Sequence, residues 1–341
     1  MKKWTSNKPS ISVVILNHND RQFLNNCLKT VLASNYPNLE VILVDNASTD
    51  GSVELVKREF GDSPRLKIIL NSKNLGFAKG NNIGAKAAKG KYIFFLNSDT
   101  KVDRNCLKEL VRVMEVHPEI GAAQPKIYLM DKEKCFDAAG HYINFLGLGI
   151  PKGRGERDRG QFDHMSEVFP LGAAFIIRRN LFREMGGFDP DYFIYFEETD
   201  LFWRMQLRGY GSVFVHRALV HHKWGATTFS WPQSRKVYLT WKNRITTLLK
   251  NYSLINLAKF LPVCILSALL LSLLYFWKGR KENGEAIIRA IIENLLHLKE
   301  TIQKRRKAQK MRRVEDEFLM QKGLIVRPDF LRLFKRKFLE S

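Results

Sequence analysis

The stretch Glu40-Val41-Ile42-Leu43-Val44-Asp45, running directly into Asn46-Ala47-Ser48-Thr49-Asp50-Gly51-Ser52, decides the fold. An apolar, β-branched run that stops at an acidic residue and a cluster of turn formers reads as a buried strand whose carboxyl end opens into a loop. Ile11 to Leu16, closed by Asn17, repeats the pattern upstream, and Lys67 to Leu70 and Tyr92 to Leu96 repeat it downstream. Helical patterns lie between them at Gln22 to Leu32, Ser52 to Phe60 and Gly80 to Ala88. This alternation predicts a Rossmann-like, doubly wound α/β sheet with crossover helices. Ligands of such sheets bind beyond the carboxyl ends of the strands, where Asn17, Asp45 and Asp99 fall. Asp50-Gly51 reads as a turn that caps the following helix.

Downstream the periodicity weakens. Lys126 to Phe169 carries Gly147, Gly149, Gly153, Gly155 and Gly160 among charged residues, the composition of a binding loop or lid. A strand at Leu171 to Ile177 and a helix-like Arg179 to Met185 follow, then the turn Gly186-Gly187-Phe188-Asp189-Pro190. In Phe196-Glu197-Glu198-Thr199-Asp200-Leu201-Phe202-Trp203-Arg204, acidic residues open a helix at the end where its dipole favours them, and Asp200 and Arg204 are spaced for an ion pair. Ser212 to His216 reads as a last strand, before Leu219-Val220-His221-His222.

With 341 residues, 45% hydrophobic and 26% charged, the chain is neither disordered nor fibrous. Its 56 Lys and Arg against 34 Asp and Glu give a net charge of +22, which calls for an anionic partner. Nucleic acid is not the expected one, because no module interleaves the basic residues with base-stacking aromatics. Cys27, Cys106, Cys135 and Cys264 have no zinc-ligand spacing and read as reduced thiols. The polar opening from Met1 to Pro9 lacks a signal-peptide core, so the catalytic part is expected in the cytosol. Phe260 to Trp277 holds 18 residues without a charge, at the short limit for a bilayer span. Lys278 to Ser341 is strongly basic and includes Lys304-Arg305-Arg306-Lys307 in a helical stretch. Lys242, Arg244, Lys250 and Lys259 flank the near side as well. Basic flanks on both sides argue for a re-entrant or in-plane helix on an anionic membrane surface rather than a crossing. The interleaved tail Asp329 to Leu339 reads as a surface-seeking amphipathic helix. The expected division is 1–253 catalytic, 254–277 apolar and 278–341 basic.

Ser12 to Asn17, Val44 to Ser52, Asn74-Leu75-Gly76-Phe77-Ala78 with Asn82-Ile83-Gly84, Phe95-Leu96-Asn97-Ser98-Asp99-Thr100, Gly187-Phe188-Asp189 and the Phe196 to Arg204 helix together resemble family 2 glycosyltransferases, nearest the rhamnosyltransferase-like branch. The likeness covers about residues 10 to 250 and lies in the order and spacing of the motifs. It implies a GT-A fold, a divalent metal (Mg2+ or Mn2+), a nucleotide-diphosphate sugar donor and inversion at the anomeric carbon.

The resemblance also implies roles. Asp45 would contact the nucleotide base or ribose, with the backbone at Asn17 lining that pocket. Asn74, Gly76 and Asn82 would shape the donor floor. Asn97-Ser98-Asp99 stands where the family has Asp-x-Asp, so one of the usual two carboxylates is missing and Asp99 carries the metal role, with His222, or its neighbour His221, completing the site. Glu198 matches the position of the catalytic base, with Glu197 as the alternative. The expected reaction moves a sugar, with rhamnose from dTDP-rhamnose first and a UDP-hexose second, to a lipid-linked or polysaccharide acceptor at the cytoplasmic membrane face. A membrane-bound scaffold without activity is the alternative from another class. Lys126 to Phe169 and the surface after Thr227 are expected to read the acceptor.

Overall fold

The structure, a computed structural model, describes residues 8–223, 225 and 230–327. The tail expected over Asp329 to Leu339, and Thr227 where the second acceptor surface was expected to start, lie outside the described residues. The chain forms two units, one of 1–140, 151–206 and 210–231, the other of 141–150, 207–209 and 232–341.

The first unit opens with β1 (Ile11–Asn17), α1 (Arg21–Leu32), β2 (Leu39–Asp45), α2 (Ser52–Phe60), β3 (Leu66–Leu70), α3 (Gly76–Ala87) and β4 (Tyr92–Asn97), the predicted alternation. β1 runs parallel to both β2 and β4, with Asn17 opposite Asp45 and Leu16 opposite Asn97, so the turn residues converge on one edge. There follow β5 (Thr100–Val102), α4 (Cys106–Val116), β6 (Ile120–Leu129) and β7 (Phe136–Ala138). β8 (His141–Asn144) and most of β9 (Gly149–Pro151) belong to the second unit. The first then resumes with β10 (Ser166–Glu167), β11 (Ala174–Arg178), α5 (Arg179–Glu184), α6 (Glu197–Leu207) and β12 (Gly211–His222).

These strands make one mixed ten-stranded sheet in the order β10-β12-β6-β11-β4-β1-β2-β3, with β5 added to β12 and β7 to β6. The central strands are buried on both faces, which is why they read as unbroken apolar runs rather than as alternations. Phe95 of β4 and Phe175 of β11 lie 5.1 Å apart between ring centroids, and Phe202 of α6 meets Phe175 edge-on at 4.9 Å. Phe182 and Phe188 join the cluster at 5.0 and 5.1 Å from Phe95. Such ring pairs contribute roughly 0.5–1.5 kcal/mol each beyond area burial, and these hold the acidic helix against the sheet.

The stretch from Lys126 to Phe169 is not the long loop that its glycines suggested. Lys126 runs on within β6, and its ammonium pairs with Asp158 at 2.6 Å and Asp163 at 2.5 Å, while the Tyr128 hydroxyl donates to Asp158. A buried ammonium held by two carboxylates orders the chain between β9 and β10, where hydrophobic periodicity gives no sign of order.

The second unit contains α7 (Gln233–Asn251), α8 (Leu254–Trp277), α9 (Lys281–Leu296), α10 (Leu298–Met311), α11 (Asp316–Gln321) and β13 (Ile325–Val326), which completes a three-stranded sheet in the order β13-β8-β9. Asp316 is fully buried and binds Ser253 N at 2.8 Å, Asn256 Nδ2 at 3.0 Å and Arg312 Nη1 at 2.9 Å, tying the start of α8 to α11. Arg305 turns inward and donates to the carbonyls of Leu249 and Tyr252, closing the end of α7, so the basic run on α10 is not wholly a surface feature. The two units divide at 231/232 rather than at the expected 253, and α7 packs with α9 and α10 within the second.

Candidate active site

The carboxyl ends of β1 and β4 and the turn after β2 surround one cavity in the first unit, together with the start of α3, the segment leading into α6, and the end of β12. Asn74, Gly76, Asn97, Asp99, Glu197, Glu198 and His222 line it, whereas Asn17, Asp45 and Asn82 do not.

Asp45, 3% exposed, accepts hydrogen bonds from Asn17 Nδ2 at 2.7 Å, Ser48 Oγ at 2.6 Å and Ser48 N at 2.9 Å. Asn17 Nδ2 also reaches the Ser48 and Ser52 hydroxyls at 2.9 and 2.8 Å. These bonds latch the β2–α2 turn, and neither Asp45, expected to contact the nucleotide, nor Asn17, expected to line its pocket, lies in the cavity wall. Asn82, expected in the donor floor, is not in the cavity wall and bonds the Phe188 carbonyl at 2.7 Å and its N–H at 3.0 Å, which fixes the Gly187-Phe188-Asp189 turn. Asn74 stays in the wall, where its side-chain oxygen accepts from Gly76 N at 2.9 Å. Gly76 has φ +78, and a Cβ there would stand 2.5 Å from the Phe193 ring, so both backbone conformation and close approach require glycine.

The pairing of β5 with β12 brings Asp99 and His222 together. His222 lies opposite Thr100, one residue beyond Asp99. Strand alternation settles which histidine faces inward: His222 is buried and in the wall, while His221 points away from it against the Tyr128 ring. His222 Nε2 is 3.3 Å from Asp99 Oδ1, and Nδ1 bonds Asp137 Oδ2 at 2.7 Å. Burial would lower the imidazole pKa, but the bonds to Asp137 and Asp99 and their charges outweigh it and lift it to about 9. The ring thus lies between two acidic side chains.

A divalent cation fits between Asp99 and His222. Asp99 Oδ1 is buried and meets only the His222 ring at 3.3 Å, Asp137 aims the imidazole, and oxygen plus imidazole suits Mg2+ or Mn2+. Among the described residues no group of three or more His, Cys, Asp or Glu side chains could hold an ion. Two protein ligands would leave the other positions to diphosphate oxygens and water.

On another side, Glu197 and Glu198 open α6. Burial raises both carboxyls above the usual carboxylate range, and the charge of Glu198 adds to the effect at Glu197. The Oε2 atoms of both are buried and make no hydrogen bond. A carboxylate so placed is available to take a proton from a hydroxyl group. Asp200, by contrast, is bound to Arg204 at 2.9 Å, the expected ion pair, and the Arg204 guanidinium also bonds the Gly187 carbonyl at 3.0 Å. Phe193, Tyr195 and Phe196 all have φ between 61 and 72, and the Phe193 carbonyl accepts from Phe77 N at 2.5 Å. Bulky residues in that region cost on the order of 1–3 kcal/mol each, a strain typical of binding sites.

Asp20, Asp137 and Arg154 escaped the sequence reading. Asp20 lines the cavity, accepts from Ser98 Oγ at 2.5 Å, and is raised to about 6 by burial and the nearby charges of Asp99 and Asp50. Its position just after a strand-end Asn was a readable signal. Asp137 and Arg154 reach the site only through the pairing of β7 with β6, which no local pattern reveals.

The family model described as glycosyl transferase family 2 matches residues 12–186. The O-antigen biosynthesis protein RfbC of Myxococcus xanthus is 28% identical over 225 residues, covering 63% of this chain and 17% of that protein. The chain's matches span between 17% and 58% of the length of its curated relatives. Among solved structures, S. aureus TarS 1-349 in complex with UDP-GlcNAc superposes with a TM-score of 0.58 at 16% identity, covering 92% of each chain. GalNAc-T7 with UDP, GalNAc and Mn2+ gives a TM-score of 0.58 at 19% identity, covering 72% of this chain and 49% of that one. The mixed sheet is that of the GT-A fold, as expected. On the extent of the family match, the chain belongs to glycosyl transferase family 2.

Proposed function

We propose that the chain is an inverting, metal-dependent glycosyltransferase that moves a hexose from a nucleotide-diphosphate donor to a lipid-linked or polysaccharide acceptor of the cell envelope. The observation that carries this reading is the wall of one cavity. It joins the Asp99–His222 pair to the acidic pair Glu197 and Glu198, each of which keeps one buried oxygen, Oε2, without a hydrogen bond. The presence of UDP-GlcNAc in TarS, and of UDP with Mn2+ in GalNAc-T7, supports a nucleotide-sugar donor and a divalent ion. The relative's role in O-antigen biosynthesis supports an envelope glycan. Rhamnose from dTDP-rhamnose is the first donor to test, on the motif resemblance, and UDP-hexoses the second.

Asp99 and His222 would hold the ion, which when bound neutralises diphosphate charge. Glu198 takes the acceptor's hydroxyl proton as the oxygen attacks the anomeric carbon from the face opposite the diphosphate. The sugar–phosphate bond breaks, and its electron pair leaves on the diphosphate. Burial raises both carboxyls and the charge of Glu198 raises Glu197 further, so Glu197 holds its proton more firmly and Glu198 is the member of the pair left to accept one. The strained Phe193 to Phe196 segment and Trp231, with rings of Phe193 and Trp231 6.3 Å apart, offer apolar faces on which an acceptor sugar stacks.

The place of work is the cytoplasmic membrane face. Along α8, Leu266, Leu270 and Leu273 are more than half exposed and only 17% of its apolar window is buried, so the helix presents an apolar surface to its surroundings. Small residues Cys264, Ala268 and Ser272 form its packed stripe, and Ser272 Oγ bonds the Gly284 carbonyl of α9 at 2.9 Å. Because α9 carries Lys281, Glu282, Glu285, Arg289 and Glu293, a crossing by α8 would bring those charges toward hydrocarbon. An in-plane position avoids this. A thermal-shift screen of nucleotide sugars with and without Mn2+ tests the reading, since a donor that binds only the folded chain raises its melting temperature. No shift with any nucleotide sugar contradicts it.

A further inference from the structure

We propose that Arg154 is the protein cation that binds the donor's diphosphate and takes up its charge as the sugar leaves. This assignment rests on the glycosyl-transfer reading above. Arg154 lies on the strap between β9 and β10, flanked by Gly153 at φ +73 and Gly155 at φ +80, and it lines the cavity. Backbone bonds pin the strap to β7 on both sides of it: Lys152 N to Gly140 O at 2.9 Å, Ala139 N to Lys152 O at 2.9 Å, and Gly155 N to Phe136 O at 2.8 Å. The guanidinium is therefore carried by a fixed backbone.

Asp137, fully buried on β7, aims it. Arg154 Nη2 is 2.8 Å from Asp137 Oδ1, and Nε donates to the Asp137 carbonyl at 3.2 Å. The other oxygen of that carboxylate holds His222, so Asp99, His222, Asp137 and Arg154 form one connected row of side chains. The same wall carries the carboxylates Asp20, Asp99, Glu197 and Glu198, while Arg154 is the one Lys or Arg among its described residues. A diphosphate entering a wall of four acidic side chains needs a permanent cation, and a planar guanidinium matches phosphate oxygens in pairs. Arg154 makes no covalent bond. It binds the phosphate oxygens before transfer and keeps them as the bond to the anomeric carbon breaks.

The test compares UDP with UMP, and dTDP with dTMP, by isothermal titration calorimetry on the full chain in EDTA and again in Mn2+. The EDTA arm removes any change in ion affinity relayed through Asp137. Arg154→Gln is expected to weaken diphosphate binding about tenfold or more in both conditions and to leave monophosphate binding within about twofold, with Arg154→Lys in between. Monophosphate binding serves as the control for folding, and if Arg154→Gln does not fold, the diphosphate-to-monophosphate ratio of Arg154→Lys decides. Equal weakening of both ligands, or of neither, overturns the assignment and leaves Arg154 a structural partner of Asp137. Wild-type chain that binds none of the four nucleotides overturns the glycosyl-transfer reading itself, and this assignment with it.

Discussion

At the residue scale the site is a question of which carboxylates are spent and which are available. Asp45 and Asp200 look as reactive in the sequence as Asp99 and Glu198, yet the first is consumed by Asn17 and Ser48 and the second by Arg204. Glu198→Gln is expected to lower kcat by about 10²- to 10⁴-fold, with Glu197→Gln less damaging, in single-turnover assays. The reverse order would move the base to Glu197. Because burial raises the Glu198 carboxyl above its ordinary range, the base holds its proton to higher pH than a free Glu, and kcat/KM should rise with pH through that raised value. A profile flat down to the ordinary Glu range contradicts this. Asp137→Asn removes the charge that aims His222, and Mn2+ affinity, read by the electron paramagnetic resonance of free Mn2+, is expected to fall about 10- to 100-fold. Unchanged affinity would make Asp137 a partner of Arg154 alone. Motif order pointed to Asp99, Glu198 and His222, while Asp137 was illegible because its approach depends on a strand pairing made 85 residues away from His222.

At the element scale, the strands of the first hundred residues were legible because burial on both faces leaves a continuous apolar signature. The stretch between Lys126 and Phe169 was not, since its order comes from buried ion pairs and short strands of two to four residues. The histidine choice required the full length of β12, which the sequence suggested only as far as His216. Gly76→Ala tests the approach of α3 to the strained segment before α6. Loss of about 2 kcal/mol or more in urea unfolding is expected from the positive φ and the Phe193 contact together. Wild-type stability would mean that this segment yields freely. For α8, replacing Leu266, Leu270 and Leu273 by Gln leaves the packed stripe intact and should reduce sedimentation with anionic vesicles by more than about tenfold. Undiminished binding would assign membrane contact to another surface.

At the scale of the whole molecule, the charge of +22 serves two surroundings. Part of it, such as Arg305 and Arg312, is engaged in holding the second unit together, which a charge count cannot reveal. Of the remainder, Arg154 lies at the cavity, whose wall carries four acidic side chains. The extra family-specific step, from a mixed sheet to a transferase, came from the order of motifs rather than from composition, and the same sheet with a different loop set would carry another chemistry. The central claim is that this cavity transfers sugar from a nucleotide diphosphate. It is tested most directly by nucleoside diphosphate release from dTDP-rhamnose and a panel of UDP-hexoses, using full chain, anionic vesicles, envelope lipid acceptors and Mn2+. Release from at least one donor, abolished by EDTA and reduced at least about 100-fold by Asp99→Asn, is the predicted result. No release from any donor, or release undiminished in Asp99→Asn, would contradict it.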